Sequence, residues 1–228
     1  MEIRIITSHE NAHKAEGLAV VIDVVRAFTT ASYILHNNAK SIIAVGEVDA
    51  ARAIKKENPD YLLAGERMGI TLPGFDYGNS PTEIAHIDFT GKTVVMRTTA
   101  GTQGVVKATN ASEIIAAAFV NARATAKYIQ AKNPKIVSFI CTDDRYTDSE
   151  DVLCAEFIKS ILENNPLPFP PIREKLENHE ATKLFLSSQL TPFAREDLDK
   201  CFSVDTFNFV IKAHPHDDEI HLIKEEVG

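Results

Sequence analysis

The feature that most constrains this chain is an alternation of short Val/Ile-rich runs with segments of helical spacing. Apolar runs stand at 18–22 (LAVVI), 41–45, 61–64, 93–96 (TVVM), 114–120 (IIAAAFV) and 136–140 (IVSFI). Between them lie helix-like stretches at 25–36, 49–58, 122–132 and 150–162. The last of these puts Leu153, Phe157, Ile158 and Ile161 on one face. Near-continuous apolar runs suit strands covered on both faces, and strands separated by helices of this length mean βαβ units. The expected fold is therefore α/β, a three-layer α/β/α arrangement around a largely parallel or mixed sheet. After the Pro-rich PLPFPP at 166–171 the texture changes. Two helix-like stretches follow near 173–188 and 193–201, then two strand-like runs around a polar turn at 215–218. We read 1–165 as an α/β core and 166–228 as a C-terminal helical and hairpin extension packed on it.

Composition removes several classes of function. The 24 Lys and Arg against 32 Asp and Glu leave a net charge of −8, the wrong sign for a nucleic-acid partner. No run approaches the ~18 apolar residues of a membrane span. Glu2, Arg4, His9 and Glu10 stand where a secretory leader needs an apolar centre. The three cysteines, Cys141, Cys154 and Cys201, are odd in number and form no CxxC. We expect buried free thiols and a reducing, cytoplasmic setting. A homodimer is compatible with this size and class.

In open α/β sheets ligands bind beyond the carboxyl ends of the strands. Asp23 and Arg26 follow the first run, Gly65-Glu66-Arg67 the third, Arg97-Thr98-Thr99-Ala100-Gly101-Thr102 the fourth, and Thr142-Asp143-Asp144-Arg145 the sixth. These positions should share one rim. The non-periodic segment 65–83 adds Asp76 and Asn79, and closes on Ser80-Pro81-Thr82-Glu83, a capping box with Pro at the first helical position. Residues 97–104 resemble neither a P-loop nor a GxGxxG turn. Their hydroxyls and glycines suit a phosphate or carboxylate. Residues 142–151 hold five carboxylates. A second capping box, Thr147 to Glu150, explains part of that density, and oxygen ligands of this kind suit Mg²⁺. His214, His216, Asp217, Asp218 and His221 read as hairpin-turn chemistry and not as metal ligands.

A small acid bearing phosphate or carboxylate groups is the partner such a rim suits. The guanidinium forks of Arg26, Arg67 and Arg97 are natural clamps for it. Thr98, Thr99, Gly101, Thr102 and Asn79 are the further substrate-binding candidates. Asp23, Glu66 and Glu150 or Asp151 are the candidate Mg²⁺ ligands. Asp23, Arg26, Glu66 and Arg67 are the catalytic candidates, with Asp23 first choice either to activate water or to attack directly.

Together, VVIDVVRAFTTA (20–31), AGERMGITLPGFDYGNSPTE (64–83), RTTAGT (97–102) and SEDVLCAEFI (149–158) resemble the 2-phosphosulfolactate phosphatase family. The resemblance covers roughly 1–160. It implies an α/β/α fold and a Mg²⁺-dependent phosphatase of coenzyme M biosynthesis, converting 2-phospho-3-sulfolactate to 3-sulfolactate and phosphate. Ala100 stands where the family usually has Asn, and Thr-Asp-Ser-Glu-Asp replaces a Gly-rich Ser-Leu-Glu-Asp. The alternatives are a phosphatase of another small anionic monoester and a non-catalytic anion-binding homologue.

Overall fold

The computed structural model describes residues 1–228 except Asp144 and Leu190. The strands are β1 (Glu2–Thr7), β2 (Leu18–Ile22), β3 (Ser41–Ala44), β4 (Leu62–Arg67), β5 (Ile70–Thr71), β6 (Thr93–Arg97), β7 (Glu113–Ala117), β8 (Ile136–Cys141), β9 (Phe209–His216) and β10 (Glu219–Glu226). The helices are α1 (Ala27–His36), α2 (Val48–Glu57), α3 (Pro81–Ile84), α4 (Gly101–Lys107), α5 (Ala122–Lys132), α6 (Glu150–Leu162), α7 (Phe169–Asn178), α8 (Glu180–Ser187) and α9 (Ala194–Cys201). The α/β class read from the alternation is the class observed.

All strands join one mixed sheet in the order β1-β8-β2-β7-β9-β10-β3-β6-β4-β5. Strands β1, β8, β2 and β7 form one parallel block, and β3, β6 and β4 form a second. Three antiparallel steps through the β9–β10 hairpin connect them, so the second block runs opposite in sense to the first. A flat sheet would then place their carboxyl ends on opposite edges. The ends nevertheless approach: a Cβ on Gly101, shortly after β6, would stand 2.8 Å from the Asp23 carboxylate at the end of β2. Helices α1 and α4 bridge the blocks: α1 packs on β7, β10 and β3, and α4 on β2 and β3.

Alternate residues of the central strands go to opposite sides, as pleating requires. Ile42, Val94, Met96 and Ala64 join the main core with Phe28, Ile34, Phe119 and Phe139. Their neighbours Ile43, Val95 and Leu63 form a smaller cluster with Val45 and with Ala51 of α2. Both faces of these strands are thus covered, which is why their sequences read as continuous apolar runs. Cys141, Cys154 and Cys201 are free and buried. Among the described residues, no helix is long and apolar enough to cross a membrane.

Several expectations change. The C-terminal hairpin was expected to lie on the sheet; it lies within it, pairing β7 on one side and β3 on the other. β1 was not anticipated, because its alternation of Glu2 and Arg4 with Ile3 and Ile5 belongs to a half-exposed edge strand. The 65–83 segment is not structureless: β4 and β5 form a tight hairpin around Met68 and Gly69, whose φ of 52° and 83° match a type I′ turn. Helix α6 is capped by Ser149 accepting the Val152 N–H, not by Thr147. An earlier start would draw Asp148 into the helix and away from Lys175 and His179, which it meets at 3.1 and 3.2 Å. At α3, Ser80 accepts the Glu83 N–H at 3.1 Å as expected, but Glu83 returns to the Gly78 N–H.

Candidate active site

Asp23 leaves the end of β2, and its Oδ1 accepts the Ala27 N–H at 2.9 Å, which sets where α1 begins. The residue is 6% exposed. Burial pushes its carboxyl up to about 6. The Ala27 N–H and the Thr142 hydroxyl oppose the rise, while Glu66 and Asp143 add repulsion. Gly101, after β6, lies directly against it: a Cβ there would stand 2.6 Å from Ala27 Cβ and 2.8 Å from Asp23 Oδ2. Only glycine lets the second block approach the first this closely.

Glu150 opens α6 on the same side. Burial raises it to about 7, its own backbone N–H opposes that, and Asp143 and Asp23 repel it further. Asp151 is buried and also raised well above the carboxylate range, by burial and then by Asp23 and Glu150. Its oxygens take four donors: the N–H groups of Val24 (2.8 Å), Thr142 (2.9 Å) and Asp143 (3.2 Å), and the Thr142 hydroxyl (3.0 Å). It thereby ties the end of β2 to the end of β8. Glu66 takes three donors: the Thr99 N–H (2.6 Å), the Thr99 hydroxyl (2.8 Å) and the Gly69 N–H (2.6 Å).

The guanidiniums gather on the 66–69 turn. Arg97, last in β6 and 8% exposed, donates Nη1 to Glu66 O at 3.0 Å and Nε to Gly46 O at 3.1 Å. Carbonyls satisfy its donors without neutralising its charge. Arg26 donates Nη2 to Gly69 O at 3.2 Å and Nη1 to Asp197 Oδ2 at 2.9 Å. Arg67 lies within the turn and is exposed.

The threonines mostly shape the backbone. Thr98 and Thr102 exchange hydrogen bonds, each hydroxyl accepting the other's N–H at 3.0 and 2.9 Å, and Thr99 is held by Glu66. Asn79 is buried beside Ser80, with its Oδ1 unpartnered among the described residues. Asp76, from the same segment, accepts the Leu63 N–H and faces Lys55 at 3.9 Å. Asp144 lies outside the described residues. Two surface cavities, of about 630 and 340 Å³, are lined by other groups, the first by Tyr146, Asp148, Lys175 and His179 and the second by Glu113, Lys132 and Lys135.

Sequence reading missed Asp197. It sits in the charged stretch AREDLDKC of α9, which reads as a solvated face, yet the residue is fully buried. The one hint is its spacing with Leu198 and Cys201, which marks the inward side of that helix.

Among the described residues, no three His, Cys, Asp or Glu side chains form a ready-made cation cage. Mg²⁺ does not need one; it is commonly held by one or two carboxylates with water and substrate phosphate. Asp23 and Glu150 suit that mode: both are oxygen donors, repel each other, and carry fewer protein hydrogen bonds than Asp151 or Glu66.

The fold and this rim define a class: an α/β protein whose strand ends assemble acids and guanidiniums around one point. Comparison with known proteins narrows it. A profile of the family described as 2-phosphosulpholactate phosphatase matches residues 5–215. A probable 2-phosphosulfolactate phosphatase of Bacillus subtilis (strain 168) is 31% identical over 230 residues, covering 100% of both chains. Proteins of the same name from Caldicellulosiruptor saccharolyticus and Deinococcus radiodurans are 40% and 41% identical. Those matches cover 66% and 64% of this chain and 65% and 61% of the relatives, somewhat under two thirds of their length. The chain belongs to the 2-phosphosulpholactate phosphatase family, a family named for an enzyme that hydrolyses a phosphoric monoester.

Proposed function

We propose that this chain hydrolyses a small, multiply anionic phosphoric monoester, with 2-phospho-3-sulfolactate as the substrate and Mg²⁺ as the cofactor. One observation carries the reading: Asp23 and Glu150, raised to about 6 and about 7 by burial and mutual repulsion, share a rim with the charge-bearing forks of Arg26 and Arg97. Acids pressed together in this way favour a divalent cation. The Arg97 guanidinium, held by carbonyls, favours an anion beside it, and Arg26, already paired with Asp197, adds its remaining donors.

Asp23 and Glu150 would hold Mg²⁺, which when bound neutralises charge developing on the phosphoryl oxygens. The protein's own groups do the rest. Arg97 and Arg26 orient the phosphoryl, carboxylate and sulfonate oxygens, and Arg67 reaches them from the exposed turn. Glu66 keeps that turn in place through Thr99 and Gly69. Asp23, fixed at the start of α1 by the Ala27 N–H, is the first choice either to take the proton from the attacking water or to attack directly. Phosphoryl transfer of this kind is governed mainly by positioning and charge neutralisation. The substrate fits a place in coenzyme M biosynthesis.

The test is phosphate release from 2-phosphosulfolactate and from phospholactate, with Mg²⁺ and with EDTA. Metal-dependent release, faster with the sulfonate, is the expected result. Release from phospholactate at equal or greater efficiency points to another monoester. Phosphate binding without any turnover contradicts the enzymatic reading.

A further inference from the structure

We propose that Asp197 is a positioning residue for the guanidinium of Arg26, so that the C-terminal third of the chain completes the anion site. The proposal rests on the reading that Arg26 grips the substrate anion. Four separate parts of the fold meet at this pair. Asp197 Oδ2 accepts Arg26 Nη1 at 2.9 Å, and its Oδ1 accepts the Ser80 hydroxyl at 2.6 Å and the Thr82 N–H at 3.1 Å. Arg26 Cζ lies over the Phe185 ring of α8, 5.3 Å from its centroid. The Arg26 and Asp197 side chains are 4% and 0% exposed.

Stability alone is a poor reason for such a pair, because well-packed apolar residues commonly serve as well as buried ions. Placement is a better one. Arginine is long and flexible, and its fork binds an oxyanion well only when its plane is fixed. Here one terminal nitrogen is fixed by Asp197 and the other by Gly69 O. Those bonds use two of five donors. The carboxylate is set in its turn by Ser80 and Thr82 at the start of α3, the helix that closes the 65–83 segment.

The test is a double-mutant cycle on kcat/KM, using wild type, Asp197→Asn, Arg26→Gln and the double variant with 2-phosphosulfolactate and Mg²⁺. A positioning role lowers kcat/KM about 10²-fold in Asp197→Asn, the scale of a small misplacement of a binding group. In the Arg26→Gln background the further loss should be under about threefold, within ordinary additivity. Equal losses in both backgrounds, following a fall in melting temperature, would show mere structural support and overturn the proposal. If Asp197→Asn does not fold, Ser80→Ala carries the test. It removes one hydrogen bond to Asp197 and also the α3 cap on the Glu83 N–H, so melting temperature is read alongside; the part acting through Asp197, about threefold, vanishes in Arg26→Gln. No loss, or the same loss in both backgrounds, overturns the proposal. Titrating the same proteins with inorganic phosphate gives the cycle without turnover. An inactive wild type therefore counts against the enzymatic reading while the coupling of Asp197 to Arg26 stays measurable.

Discussion

Beyond β2 and β8 the chain delivers Asp23, Asp143, Glu150 and Asp151 together with Arg26 and Arg145, whereas the ends of β4 and β6 carry Arg67 and Arg97 around Glu66. The first block is rich in acids, and burial first, then repulsion by neighbouring carboxylates, raises Asp23 and Glu150, while Arg145 pairs Asp143 at 2.9 and 3.0 Å. The second is a turn whose one acid is engaged by N–H and O–H donors, whose Arg97 is held by carbonyls and whose Arg67 is exposed. Each block is uncomfortable by itself. They meet where Gly101 comes close against Asp23, and on the proposed reading that meeting would hold a cation on one side and an anion on the other. The hairpin inserted between the blocks and Asp197, which reaches Arg26 from α9, both come from the C-terminal third.

The sharpest way to break this contrast is to remove the acid at its centre. Asp23→Asn should cut turnover by at least ~10²-fold, the scale of a general base, with secondary structure retained by circular dichroism. Near-normal turnover removes Asp23 from the reaction. On the guanidinium side, Arg97→Gln should raise KM about tenfold or more with a smaller change in kcat, as expected when a binding charge is lost and the base is intact. A pure kcat effect would place Arg97 at the reacting phosphoryl group instead.

Stability should show the opposite trend on the acid side. Below pH 3.8 both folded and unfolded Asp23 hold the proton; between 3.8 and about 6 the unfolded chain releases it and the folded chain keeps it; above about 6 the folded chain must carry a buried charge. Stability of the protein in EDTA should therefore fall as pH rises through that window. Asp23→Asn should recover up to about 3 kcal/mol at pH 8, measured by urea denaturation. A loss of stability in that variant contradicts the strain assigned to the acids. The smallest effect belongs to the cap: Ser149→Ala should cost about 1 kcal/mol by removing the acceptor for the Val152 N–H at the start of α6. A matching loss for Thr147→Ala would restore the cap to Thr147.

Local chemistry was legible in the sequence where neighbours in the chain decide it. The runs at 18–22, 93–96 and 136–140 are strands because Val and Ile are covered on both faces, and Asp23, Glu66 and Arg97 fall at strand ends as the alternation implies. Pairing was not legible. Nothing in FNFVIKAHPHDDEIHLIKEE tells that its strands sit between β7 and β3, since that depends on partners some 100 and 180 residues away in the chain. Nor does composition separate acids engaged by many donors, such as Asp151 with four, from acids with fewer, such as Asp23 and Glu150. That difference lies in which N–H groups the fold aims at each oxygen. Asp197 stayed hidden for the same reason, a charged residue in a charged helix whose burial comes from elements far away in sequence.

The central claim, that a divalent cation sits where the acid block meets the guanidinium block, is tested most directly by anomalous scattering from a crystal grown with Mn²⁺ and inorganic phosphate. The account predicts a metal peak between the carboxylates of Asp23 and Glu150, with the phosphate between it and Arg97. A fully ordered rim with no peak there, or a metal bound instead at the His214–His221 hairpin, would contradict it.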